Sequence, residues 1–166
     1  MPIRLPSLLF FALLAVLAAF VWRTSAELPP VAATHFILTG QANGFMPRKA
    51  YRWVALAVVT APPLLVAYLP VVLLRRGSNR INLPHRDYWL APERREATLA
   101  FLRPHGLLFA AGVAVFLAFV HAQVAQANLR HPPVMDVDAT GTGTIVLLAG
   151  LMVWLFALHA RFRRPR

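Results

Sequence analysis

The stretch Gly106–Val124, GLLFAAGVAVFLAFVHAQV, carries no Asp, Glu, Lys or Arg. A helix rises 1.5 Å per residue, so crossing about 30 Å of hydrocarbon takes roughly 17 to 25 residues, and this stretch has the required length. Three others match it: Leu5 to Trp22, Tyr51 to Leu74 and Thr144 to Ala160, in which Arg52, at an edge, is the only Asp, Glu, Lys or Arg. Within lipid every backbone N–H and C=O must find its partner inside the chain, so each segment is predicted to be a helix. The fold class expected is an all-α membrane protein with four transmembrane helices, forming one integral membrane domain over residues 1–166. A composition of 58% hydrophobic residues and a mean hydropathy of +0.59 agree, since a soluble domain of this size is less apolar.

A net charge of +11 on a soluble fold would suggest nucleic acid, so its distribution matters. Arg4 precedes the first span, Arg75, Arg76, Arg80, Arg86, Arg94, Arg95 and Arg103 lie between the second and third, and Arg161, Arg163, Arg164 and Arg166 follow the fourth. The opposite side holds only Arg23, Arg48, Lys49, Arg52 and Arg130. By the positive-inside rule both termini and the 75–105 loop are expected in the cytoplasm, with 23–50 and 125–143 as outer loops. The charge is then a topology signal that also suits anionic lipid head groups, and no nucleic-acid partner is expected. Thr24-Ser25-Ala26 before Glu27 imitates a cleavage site, but the uncharged run from Arg4 to Arg23 is longer than a signal peptide's core, so a retained span is expected.

The spans carry local signals. Pro62-Pro63 and Pro70 each remove an amide donor from the second span, predicting a bend near Val58 to Pro63, with Thr60 placed to bond freed carbonyls. Gly106, Ala110, Ala111, Gly112, Ala114 and Ala118 predict close helix approach in the third span. In the first outer loop Val31 to Leu38 reads as extended and Asn43-Gly44 as a turn, together an ordered cap. In the inner loop Pro92, with Glu93 and Glu96 behind it, predicts a helix to about Arg103 lying along the inner surface before Pro104 opens the third span. Asp87, Glu93 and Glu96 are expected to pair with neighbouring arginines. The last loop, with Pro132-Pro133 and Gly141-Thr142-Gly143, is predicted to be extended, with Thr142 or Thr144 capping the fourth helix.

Two of these loops resemble a known family. Leu28-Pro29, Thr34-His35-Phe36, Gly40, Asn43-Gly44 and Arg48-Lys49 resemble the extracytoplasmic motif of a bacterial family known as domain of unknown function 1648. Asn82, Pro84, Asp87-Tyr88-Trp89-Leu90 and Pro92-Glu93-Arg94-Arg95 are similar to the cytoplasmic motif of its small members, so the resemblance covers about Leu28 to Asn128. In this chain Ala33 stands where the family often has proline, Ile37 where a polar residue is usual and Phe45 where tryptophan is common. The resemblance implies a multi-pass protein of the bacterial inner membrane. One branch of the family resembles toxin-immunity proteins that signal by holding a repressor at the membrane.

Chemistry inside the spans is sparse. There is no cysteine, so thiolate nucleophiles, iron–sulfur clusters and Cys-based zinc sites are excluded. No Asp or Glu lies within a span to form a carboxylate relay or sodium site. There is no phosphate-binding Gly loop, and Ser7, Ser25 and Ser78 lack a nucleophile's partners. His121, about a turn from the outer end of the third span, is the exception, and its bland role is a side chain bonded to a neighbour. With His35, His131 and Asp136 it forms a candidate metal set of nitrogen and oxygen donors, and His105 and His159 are candidate haem ligands at the inner ends of spans three and four. Neither assignment has an established spacing, so no cofactor is assigned. The candidate partner-binding residues are His35 and Phe36 outside and Tyr88, Trp89, Arg94 and Arg95 inside, because aromatic and arginine side chains dominate interface energetics. The expected role is a non-catalytic accessory or partner-binding component of a membrane complex. The alternatives are a peptide or toxin sensor of the immunity type and a metal or haem protein.

Overall fold

A computed structural model describes residues 5–75 and 83–163. Arg4, Arg76, Arg80, Arg164 and Arg166 of the charge pattern, and Asn82 of the inner-loop motif, lie outside the described residues. The chain runs α1 (Leu5–Ala26), β1 (Val31–Phe36), β2 (Ala42–Pro47), α2 (Arg48–Arg75), the short α3 (Arg86–Trp89), α4 (Pro92–Ala127) and α5 (Val137–Phe162). Four of these helices are long and apolar enough to cross a membrane, which makes this a multi-pass membrane protein.

Helices α1, α2 and α4 pack mutually, while α5 packs chiefly on α4. The seam of α2 is a row at every fourth residue: Tyr51, Ala55, Val59, Pro63 and Ala67 are all buried. Such spacing aligns side chains along one helix face. Ala110, Ala114 and Ala118 form the matching row on α4, and Phe10, Leu14 and Val21 face them from α1. In lipid this packing rests on close van der Waals approach rather than on removing apolar surface from water, which is why the α4 row is alanine. The glycines predicted to share that task do not. A Cβ on Gly106 or Gly112 would meet nothing within 4 Å.

Helix α5 is attached differently. No residue in its apolar membrane window is buried, and Phe162 at its end is its one buried side chain. Close approach to α4 occurs at Gly143, where a Cβ would lie 2.3 Å from Cε1 of Phe119.

Several boundaries differ from those expected. The helix from Pro92 does not stop to lie on a surface; it continues through Pro104 into the third span as one helix. Pro104 removes only the bond to Ala100 O, and the His105 side chain adds one to Phe101 O at 2.8 Å. Thr98 and Leu99 are buried, so the first turns of α4 have neighbours of their own. Helix α5 starts at Val137 rather than near Thr144, because Oδ1 of Asp136 accepts the Ala139 N–H at 2.9 Å and caps it. Helix α2 runs through Pro62, Pro63 and Pro70, and Thr60 bonds Leu56 O at 2.7 Å rather than a carbonyl freed by proline.

The outer loop folds as an antiparallel hairpin, with Val31 opposite Pro47 and Phe36 opposite Ala42. Its turn lies at residues 37–41, closed by Ile37 N–H to Gln41 O at 3.0 Å and Gly40 N–H to Ile37 O at 2.8 Å. Gly40 holds φ +82, and a Cβ there would sit 2.4 Å from Met135 O. The expected turn, Asn43-Gly44, lies inside β2, where it serves a compensating pair of register shifts: Thr34 is extra on β1 and Asn43 on β2. Gly44 faces His35, whose ring leaves no room for a side chain, since a Cβ would be 2.9 Å from the histidine Cβ.

Replacing Ala114 by Leu should therefore force the three-helix seam apart, with a stability loss of about 1–3 kcal/mol in detergent unfolding. Gly112→Ala should lose nothing measurable in the same assay; equal losses would contradict the assignment of the two faces.

Candidate functional site

Polar side chains gather at the end of the bundle covered by the hairpin. His121 is buried between helices, with Nδ1 2.8 Å from the Tyr51 hydroxyl and Nε2 2.7 Å from Oγ1 of Thr24. The hydrogens can be assigned by elimination. Thr24 donates its single O–H to Phe20 O at 2.8 Å, so toward His121 it acts as acceptor and Nε2 carries the ring proton. Nδ1 is then the acceptor for the Tyr51 O–H. The result is a directed chain, Tyr51 to His121 to Thr24 to Phe20 O, joining α2, α4 and α1. It ends on the Phe20 carbonyl, which accepts, and the chain ties the three helices together. Rings reinforce it: Tyr51 stacks on His121 with centroids 5.6 Å apart, and Phe20 meets the imidazole edge-on at 5.8 Å.

The same end holds the hairpin to the helices. Asn128, seven residues beyond His121 and buried, accepts the Ala33 N–H at 2.8 Å and donates to Ala33 O at 2.9 Å and Val124 O at 2.8 Å. Its carboxamide pairs with the strand as another peptide group would. Arg48 donates to Ala26 O and Leu28 O, both at 2.9 Å, and so satisfies carbonyls at and just beyond the C-terminus of α1. Arg52 donates to Ser25 Oγ at 3.1 Å and lies over Trp22, which meets Trp53 edge-on. These two arginines, read from sequence only as outer charges, are structural.

At the opposite end α3 caps α5. Trp89 Nε1–H donates to Phe162 O at 3.1 Å and His85 Nε2–H to Arg163 O at 2.9 Å. His85 is held in the left-handed region at φ 51. Thr98 donates to Trp89 O at 2.8 Å, fixing the segment to α4. Arg161 lies over Trp89 at 4.8 Å and Phe101 at 5.4 Å, and Arg94 covers Tyr88 at 4.1 Å. Among the described residues Arg103 Nε is the buried side-chain nitrogen without a partner.

A groove of about 810 Å³ opens sideways between α4 and α5, and within it Trp154 of α5 stacks on Phe109 with centroids 4.7 Å apart and donates its Nε1–H to His105 O at 3.1 Å. It runs from Phe119 and Gly143 to His105 and Ala157, and its lining is almost wholly apolar.

The candidate metal set is not brought together: among the described residues no three His, Asp or Glu form a group able to hold an ion. His121 has both nitrogens engaged, Asp136 caps α5, and His35 and His131 are exposed. Of the two haem candidates, His105 lines the groove, and His159 is exposed and does not line it. Of the partner candidates, Trp89 is buried inside the protein and Phe36 packs on its core, whereas Tyr88 is half-buried under the exposed Arg94. Arg95 is half-buried and has a contact of its own. Sequence reasoning missed Thr24, Tyr51, Asn128 and Arg161. Only the spacing of His121 and Asn128 on one helix face hinted at them. Compared with family models, curated proteins and solved structures, the chain matches none.

Two measurements check this geometry. Nitrogen NMR of the His121 ring should show a protonated Nε2 and a bare Nδ1; the opposite tautomer would break the chain as assigned. Asn128→Leu leaves the Ala33 N–H and C=O unpaired in a buried place, each costing roughly 1–3 kcal/mol, and Ala33 amide exchange should accelerate by orders of magnitude.

Proposed function

We propose that this protein is a non-catalytic, partner-binding component of a membrane complex in the bacterial inner membrane, with both termini and α3 in the cytoplasm and the hairpin outside. The observation carrying this reading is that the hairpin is anchored yet presents apolar side chains. Asn128 ties it down at Ala33 and the Met135 N–H to Gly40 O bond at its turn, while Leu38, Phe45, Ile37 and Val31 are exposed, Leu38 almost completely. A rigid, apolar, outward-facing element is suited to contact with another protein, because little ordering entropy remains to be lost on binding. The bundle interior supports the same reading, since His121, Tyr51 and Thr24 have their hydrogen bonds engaged with one another and with Phe20 O. The contact surface is then Leu38 and Phe45 rather than Phe36.

A second reading, a peptide or toxin sensor, is favoured by one feature: α4 bears both the hairpin anchor Asn128 and the α3 anchor Thr98, so one rigid helix connects the two loops. On that reading the hairpin receives the ligand and α3 reports it.

Purification from native membranes in mild detergent distinguishes the two. The complex reading expects stoichiometric companion subunits that are lost on Leu38→Glu or Phe45→Glu, with the bundle's melting temperature unchanged. A lone protein would remove it. The sensing reading expects loss of toxin resistance in the same variants, and a deletion strain of unaltered resistance would end it.

A further inference from the structure

We propose that the α4–α5 groove binds one acyl chain of an anionic phospholipid, with the phosphate of that lipid held by Arg161. The proposal stands independently of the hairpin's role. Three observations meet at this place. The groove is apolar and open sideways, which is the direction from which a lipid arrives. It follows α4 from His105 to Phe119, about 21 Å at the helical rise, and so exceeds the roughly 15 Å depth of one leaflet, long enough for a chain along its whole length. Small residues keep its floor open, since Cβ atoms on Gly112 and Gly150 would meet nothing within 4 Å.

The groove's charged end selects the lipid. Ala157 of α5 and His105 of α4 line the end nearest α3. One turn further along each helix stand Arg161 and Phe101. The Phe101 ring stacks on His105 with centroids 4.0 Å apart, and the Arg161 guanidinium lies 5.4 Å from the Phe101 centroid and 4.8 Å from that of Trp89. An exposed cation is therefore fixed by aromatic faces one helical turn beyond the end of an apolar groove, within reach of a phosphodiester whose chain lies in that groove. His105 gives Nδ1–H to Phe101 O, which leaves Nε2 as its remaining polar atom at this end. The surroundings have the same sign: over residues 83–103 and 161–163 six arginines stand against three acids. A partner helix would also fill an apolar groove, but it would not need a cation at one end of it.

Trp154 lines the groove and provides the test. The full-length protein in mixed micelles is titrated with phospholipids carrying brominated chains, which quench an indole they touch. The Trp154 signal is the difference from Trp154→Phe. Phosphatidylglycerol should quench it at a mole fraction roughly fivefold below phosphatidylcholine, the ratio one arginine near a charged surface gives. Arg161→Gln should bring the two lipids level while quenching by phosphatidylcholine persists. Gly112→Leu should abolish Trp154 quenching by both lipids, with helicity unchanged, because the side chain occupies the channel. Equal quenching of the wild type by both lipids would overturn the proposal, as would a preference that survives Arg161→Gln. So would cross-linking from position 112 to a polypeptide that shields Trp154 from either lipid, which would assign the groove to a partner helix.

Discussion

A helix leaves its last carbonyls without partners, and beside hydrocarbon there is no water to supply them. This constraint organises both ends of the protein. Where α1 ends, Arg48 reaches Ala26 O and Leu28 O; where α5 ends, Trp89 and His85 reach Phe162 O and Arg163 O. Loops that look like connectors in one dimension are therefore caps. Arg48 at the start of α2 and the segment from His85 to Trp89 carry the donors those ends need, and Asn128 applies the same chemistry to the open edge of β1 at the buried Ala33.

The polar chain through His121 follows from the same requirement within the bundle. An imidazole buried among three helices is costly unless both nitrogens are bonded, and the arrangement Tyr51, His121, Thr24, Phe20 O leaves neither free. Each helix contributes one side chain, so the chain also sets their register. Below it the alanine row of α4 lets the backbones approach, and α5, lacking such a row toward the bundle, remains at the side. That asymmetry leaves, among the described residues, an apolar hairpin beyond the helix ends and a lateral groove ending at His105 and Ala157.

How far this was legible varied with the range of the interactions involved. Four spans, Pro92 opening a helix and an ordered cap over residues 23–50 follow from runs and local patterns, and they agree with the structure. Local signals failed where a distant residue outweighed them. Asn43-Gly44 favours a turn, yet the hairpin turns at Gly40 because Met135 docks on that backbone and Gly44 is needed opposite His35. Pro104 favours a break, yet α4 continues because Thr98 and Leu99 are packed and only one backbone bond is removed. Glycines 141 and 143 favour a loop, yet they lie within α5, where Gly143 admits the Phe119 ring.

The sequence by itself determined that this chain enters a membrane four times and that its charges are unequally divided between the loops, because hydrocarbon thickness and the energetics of burying charge act on each segment separately. Only the tertiary structure decided that His121 bonds Tyr51 and Thr24, that Trp89 is buried and bonds the end of α5, and that a groove opens between α4 and α5 one turn from Arg161. Each of these depends on which side chain from another helix lies within about 3 to 6 Å, a distance that no periodicity within a single segment encodes.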